Sequence, residues 1–286
     1  MLEVREGVVA GLEVAPGTGG APALYSLKFT DGHLIPLNDR IGSGIEVKSL
    51  AEVECRHCAK VSKRSFGGGY CYDCFSTLAR CDLCVVSPDR CHYAQGTCRE
   101  PAWGEAFCKQ PHLVDLANSS GAKEGITRRG REVGRWLEQG AIQGLDILEA
   151  DTRRDAGLAE VLVGQRLPDR TDWKKMLRGD VPEVDLTAIR HELQAADLEL
   201  PNGVRWLPLE KEARFHYPLH NQGPAEENLK LDRGDLRGNL LGMKAQYLMI
   251  GTGAFNVRQH AGYRVRVQIG PPLPEDNPGG RQLGLF

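Results

Sequence analysis

Every cysteine of this 286-residue chain lies between Cys55 and Cys108, and that clustering constrains the fold more than any other feature. The nine are Cys55, Cys58, Cys71, Cys74, Cys81, Cys84, Cys91, Cys98 and Cys108. Cys55-x-x-Cys58 and Cys71-x-x-Cys74 are separated by twelve residues. At that spacing two short knuckles each present two thiolates, and the hairpin between them closes a tetrahedron around zinc. Gly67-Gly68-Gly69 supplies the tight reversal such a hairpin needs. Disulfides and plain buried thiols are the competing uses. The N-terminus, Met1-Leu2-Glu3-Val4-Arg5-Glu6, has no basic-then-apolar export pattern, so the sequence predicts a cytoplasmic protein whose clustered thiols bind metal.

The second half of the cluster is less regular. Cys81-x-x-Cys84 opens another knuckle, followed by Cys91, Cys98 and Cys108, with His92 and His112 nearby. Five thiols and two imidazoles exceed the four ligands of one tetrahedral ion, so a second zinc with a spare candidate is expected. Cys81 and Cys84 form the leading pair, Cys98 and Cys108 complete it, and Cys91 can replace either of those two. An iron–sulfur cluster is the alternative occupant, because its ligands are also thiolates. His92 and His112 read as partly exposed polar residues.

At 41% hydrophobic and 26% charged, the chain has ample material for a core, and no apolar run approaches the roughly 20 residues of a membrane span. A net charge of −2 excludes a uniformly basic nucleic-acid binder, so any such contact needs a local patch. The pattern predicts an α+β fold in five parts. Residues 1–53 form an N-terminal β segment, with strands at Leu24–Phe29, Leu34–Asn38 and Ile45–Val47. Residues 54–112 are the cysteine-rich module. Residues 113–200 form a small α/β unit: strands at Leu113–Leu116, Glu124–Thr127 and Leu145–Leu148, helices at Arg131–Gln139, Thr152–Val163 and Asp185–Ala196. Residues 201–269 contain an extended crossing segment and a C-terminal β segment, and 270–286 a Pro/Gly-rich tail. The two β segments share an order of strands and turns, which predicts that they pair as one split β domain with the middle of the chain inserted.

The α/β unit, with Arg131, Arg135 and Glu160 at fixed places, resembles the GIY-YIG nuclease domain. Lys123-Glu124-Gly125-Ile126-Thr127-Arg128 is similar to that family's second strand, and Thr152–Glu160 to its glutamate helix. The resemblance implies that Glu160 binds Mg²⁺ or Mn²⁺, that Arg135 (or Arg131) steadies the scissile phosphate, and that the reaction is phosphodiester hydrolysis. Asp115 and Lys123 stand where the family has tyrosines, which leaves Asp115 as a candidate base or metal ligand and a binding-only unit as the rival. Most of the chain also resembles an uncharacterised bacterial family of cysteine-rich proteins. That likeness rests on Cys91-His92, Gly96-Thr97-Cys98-Arg99-Glu100, Trp103-Gly104, Cys108, Asn118-Ser119-Ser120, Gly125–Arg128, Gln246-Tyr247-Leu248 and Phe255–Arg258. It brings no established activity.

Lys123, Arg128, Arg129, Arg131 and Arg135 concentrate charge where a phosphate backbone can be tracked, with Trp136 and Trp173 interleaved as stacking or core residues. The chain closes on Gln282-Leu283-Gly284-Leu285-Phe286. This pentapeptide resembles the motif by which bacterial DNA polymerases and repair proteins dock on the sliding clamp, an apolar plug on a leash. The expectation is therefore a nucleoid-associated, zinc-containing DNA-processing protein recruited to the clamp. A non-catalytic DNA- or RNA-binding module and an RNA-processing factor are the alternatives.

Overall fold

The fold is described from a computed structural model covering residues 2–167, 172–179, 181–219 and 227–274. The chain opens with β1 (Glu3–Ala15), β2 (Leu24–Phe29), β3 (Leu34–Pro36), β4 (Gly44–Glu54) and β5 (Val61–Ser62). It continues through α1 (Tyr72–Thr77), a series of single 3₁₀ turns and α2 (Pro101–Cys108). Next come β6 (His112–Asn118), β7 (Ala122–Arg128), α3 (Glu132–Glu138), β8 (Gln143–Ala150) and α4 (Arg153–Gly164). The helices α5 (Trp173–Arg178) and α6 (Leu186–Ala195) lead to β9 (Val204–Trp206) and β10 (Ala213–Arg214). The chain returns through β11 (Glu227–Leu229), β12 (Leu236–Lys244), β13 (Tyr247–Ile250), β14 (Gly253–Asn256) and β15 (Tyr263–Gly270).

Two compact units result: Met1–Phe75 with Leu177–Gly179 and His216–Phe286, and Ser76–Met176 with Asp180–Phe215. In the first, the described strands form a ten-stranded sheet ordered β11-β14-β13-β12-β4-β15-β1-β2-β3, with β5 on β4. Strands from the two ends of the chain lie side by side, Glu3 opposite Ile269 and Gly7 opposite Val265. β1 was legible only as part of a β-rich segment. It bends where the register shifts between Val9 and Gly11, and Gly11 takes φ 143°, a conformation favouring glycine. Alternation explains the burial. Tyr25, Leu27 and Phe29 of β2, and Val265, Val267 and Ile269 of β15, are all buried.

The second unit is built on a five-stranded antiparallel sheet ordered β10-β8-β6-β7, with β9 on β8. β6 sits inside it and is buried at all seven residues. One face carries Val114, Leu116, Ile126 and Leu148, covered by Ala156, Ala159 and Val163 of α4 and by Leu186 and Leu193 of α6. The other carries Ala117, covered by Trp136 of α3. Trp136 is therefore a core residue. α4 starts where the sequence predicts, with the Thr152 hydroxyl accepting from the Asp155 amide. Residues 201–215, read as an extended crossing, instead extend this sheet through β9 and β10. Their strands of three and two residues are too short for a period to register. Among the described residues no helix is long and apolar enough to cross a membrane.

Candidate functional site

The first four cysteines meet in the first unit. β4 and β5 pair at Val53–Ser62 and Glu54–Val61, so the Cys55-x-x-Cys58 knuckle is the turn of a β-hairpin. Ala59 closes it at φ 58°, with its amide donating to the Cys55 carbonyl at 2.9 Å. Gly67, Gly68 and Gly69 all have positive φ and reverse the chain between the Phe66 and Tyr70 bridge partners. A side chain at Gly69 would also strike Arg56 Cδ at 2.4 Å. Cys71 precedes α1 and Cys74 lies within it.

The sulfurs of Cys55, Cys58, Cys71 and Cys74 all lie within 4.8 Å of one another, and Cys58 and Cys71 are 3.7 Å apart. A tetrahedron with Zn–S bonds of about 2.3 Å has sulfur–sulfur edges of about 3.8 Å. The backbone amides of Cys58, Cys71 and His57 also point at the Cys55 sulfur. They outweigh its burial and lower its thiol to about 6. Donor type, spacing and amide support all fit a structural zinc ion.

The other five thiols lie in the second unit, and they group differently from expectation. Cys84, Cys91, Cys98 and Cys108 line one cavity of about 20 Å³, whereas Cys81 is not among its lining residues. Cys81 ends one 3₁₀ turn, and an extended Asp82 separates it from the turn that carries Cys84. Cys91 thus shares this cavity with Cys84, Cys98 and Cys108, and Cys81 does not line it. His92 is tied up locally, its Nδ1 at 2.8 Å from the Thr97 hydroxyl and its Nε2 at 3.4 Å from Asp82. His112 is not partly exposed. It is fully buried, burial pushes its imidazole down to about 4, and Nδ1–H donates to the Gln110 carbonyl at 2.7 Å.

A second set of charged residues gathers around β6 and β7. Asp115 on β6, Lys123 on β7, Arg135 on α3 and Glu160 on α4 act on one another's charge, and Glu124, Glu132, Asp146 and Arg153 join them. Burial, then Glu124 and Asp115, raise Glu160 to about 7. Burial and Arg135 lower Lys123. Arg135 is steadied by Gln139, whose side-chain oxygen accepts from Nε and Nη2 at 3.1 and 2.9 Å in the amide orientation that pairs both groups. A Cβ at Gly164 would meet the Glu124 carboxylate at 2.8 Å, so α4 lies close on that side chain. A half-buried carboxylate raised by neighbouring carboxylates, as Glu160 is, suits a hard divalent cation, which takes oxygen ligands and needs only one or two from protein.

The remaining sequence candidates are dispersed. Arg129 pairs with Glu149 at 3.0 Å and Arg131 with Glu138 at 3.8 Å, while Arg128 lies over the Phe107 ring at 5.5 Å. Asp146 was not anticipated. It faces Asp115 across the β6–β8 pairing, and burial followed by the Asp115 charge raises it to about 8. Its signal was a lone charge within Leu145-Asp146-Ile147-Leu148.

Asp115 itself is fully buried, with both carboxylate oxygens lacking a hydrogen-bond partner. The Trp136 indole N–H faces it without completing a hydrogen bond. Burial raises Asp115 to about 6, so the role of a base in direct contact with water is replaced by that of a buried charge opposite Arg135 and Lys123. A carboxyl bound more tightly to its proton in the folded state stabilises the fold at low pH, and that contribution is lost as pH rises through about 6. The shift from 3.8 to about 6 corresponds to about 3 kcal/mol. Asp115→Asn is therefore expected to be more stable than the wild type at pH 8, by up to about 3 kcal/mol, with the difference shrinking toward pH 4. Urea denaturation at both pH values measures it, and a less stable variant at pH 8 would refute the buried-charge account.

A family model described as "Protein of unknown function (DUF2797)" matches residues 42–265. No curated protein and no solved structure matches the chain.

Proposed function

We propose a function from one premise: the chain belongs to the DUF2797 family, whose match takes in both the first four cysteines and the charged cluster of the second unit. On our reading the protein is a zinc-containing nuclease acting on DNA. The first four cysteines hold a structural zinc ion, and the second unit carries the hydrolytic site. The observation behind the reading is that the charges of Lys123, Arg135, Glu160 and a buried Asp115, carried by four separate elements, act on one another.

Glu160 would hold the divalent cation, Mg²⁺ or Mn²⁺, which when bound polarises the phosphate and activates water. Arg135 offers a bidentate fork to the non-bridging phosphate oxygens, and its charge opposes the one that develops on them during attack. Lys123 is a second cation whose charge acts on the same group of residues. Asp115 reaches no substrate, and its charge positions Arg135 and Lys123.

A second reading, a module that binds DNA or RNA without cutting, draws on two observations. The tyrosine positions of the nuclease family hold Asp115 and Lys123, and three arginines of the segment already have partners within the protein. The deciding experiment incubates the full chain with single-stranded, branched and duplex DNA, and with matched RNA, under Mg²⁺ or Mn²⁺. Nicked DNA supports the nuclease; binding without cleavage under both metals leaves the binding module; cleavage of RNA alone makes it an RNA-processing factor.

Residues Gln282-Leu283-Gly284-Leu285-Phe286 lie outside the described residues, so the proposed tether to the sliding clamp rests on sequence alone. Deleting 282–286 is expected to abolish retention on immobilised clamp while leaving nicking of free DNA unchanged. Equal retention of both forms would discard the tether and the clamp-linked, nucleoid-associated location.

A further inference from the structure

The segment between Cys81 and Pro111 is ordered without an apolar core. Of its residues only Pro88 and Gly104 are buried, and Leu83 and Val86 are exposed. It consists of isolated 3₁₀ turns and the eight-residue α2. Elements this short do not persist in water on their own hydrogen bonds. Small folds that lack sufficient apolar burial are held by cross-links or metal.

Four cysteines from four places in this segment converge. Cys84 comes from the turn Leu83–Val85, Cys91 follows the turn Pro88–Arg90, Cys98 precedes α2 and Cys108 ends it. All four line the cavity of about 20 Å³. That volume is close to one water-sized probe, enough for an ion and too small for an organic substrate. A Cβ on Gly104 of α2 would stand 3.4 Å from the Cys98 sulfur and 3.0 Å from the Tyr93 ring, so the absence of a side chain there brings α2 close to Cys98.

We infer that Cys84, Cys91, Cys98 and Cys108 form a second structural zinc centre, distinct from the first, and that Cys81 is not one of its ligands. A competing set, Asp82, Cys84 and His92, has ligand atoms within 4.8 Å of one another, a spacing that the four thiols, which share the cavity, do not reach as a set. Its two non-thiol members already have partners: Asp82 takes the Arg99 Nε at 2.8 Å, and His92 bridges Asp82 and Thr97. Thiolates are also the softer donors that zinc favours in closed structural sites. The Arg153 guanidinium of α4 lies beside Cys108 and donates to the Val85 carbonyl at 2.7 Å, placing a cation against an anionic four-thiolate centre. The inference is independent of the nuclease reading.

The test is zinc stoichiometry on the full chain, purified under reducing conditions, by native mass spectrometry and elemental analysis. Two ions per chain are expected. Cys84→Ser and Cys108→Ser should each fall to one, while Cys81→Ser and the Asp82→Ala/His92→Ala pair should keep two. Differential alkylation of the wild type guards against variants that fail to fold. Cys84, Cys91, Cys98 and Cys108 should become reactive together on chelation, with the rate at Cys81 unchanged. One ion per wild-type chain, loss of an ion in Cys81→Ser, loss in the Asp82/His92 variant, or a disulfide among the four would overturn the assignment.

Discussion

Glu160→Ala is expected to lose at least ~10³-fold in DNA nicking while binding substrate within about threefold of the wild type, because on the proposed reading it removes the cation's ligand and leaves the residues assigned to the phosphate in place. The side chain sits on α4, whose packing rests on Ala156, Ala159 and Val163, so its removal leaves the core intact. Its pH signature follows from its environment. Burial and the neighbouring Glu124 and Asp115 raise Glu160 to about 7, so it is protonated and unable to hold a cation below that pH. Nicking by the wild type should therefore rise with pH through about 7, and saturating metal should move the midpoint downward by favouring the ionised form. Arg135→Lys should remain strongly impaired, since a point charge does not replace a bidentate fork. Single-turnover nicking beside an equilibrium binding assay separates the outcomes. If Glu160→Ala cuts at the wild-type rate, the proposed site is wrong even where the protein proves to be a nuclease.

If the first four cysteines hold zinc as proposed, Cys71→Ser is expected to lose the ion and cost the first unit at least ~3 kcal/mol. Structural zinc contributes about 10–16 kcal/mol to the folding of small zinc-finger peptides, and a larger unit retains part of that from its sheet. At about 2–4 °C per kcal/mol, the melting temperature should fall by roughly 10 °C, and chelation of the wild type should produce a similar fall. The loss should be local first. In the knuckle that closes the β4–β5 hairpin, the Cys55 amide donates to the Lys60 carbonyl, the Arg56 amide to the Gly69 carbonyl and the Ala59 amide to the Cys55 carbonyl, and a few such bonds do not order a hairpin in water without further support. Hydrogen exchange should rise over residues 54–75 while β1 and β15 stay protected. A chelator-insensitive melt together with absent zinc would remove the metal from the account of the fold.

Much of this protein was written in local pattern. Alternating apolar residues marked Leu24–Phe29, the helix read from Thr152 marked the start of α4, and the spacing of Cys55, Cys58, Cys71 and Cys74 named a candidate tetrahedral site. Each is a short-range signal, because period, capping and ligand spacing are set within one turn or hairpin. Only the tertiary structure decided which of five further thiols share a cavity, since their convergence depends on how irregular turns fold back and not on how many residues separate them. It likewise decided that His112 is buried and that Asp146 faces Asp115. Burial and cross-strand register are properties of the neighbours a residue acquires, and those neighbours come from distant parts of the chain.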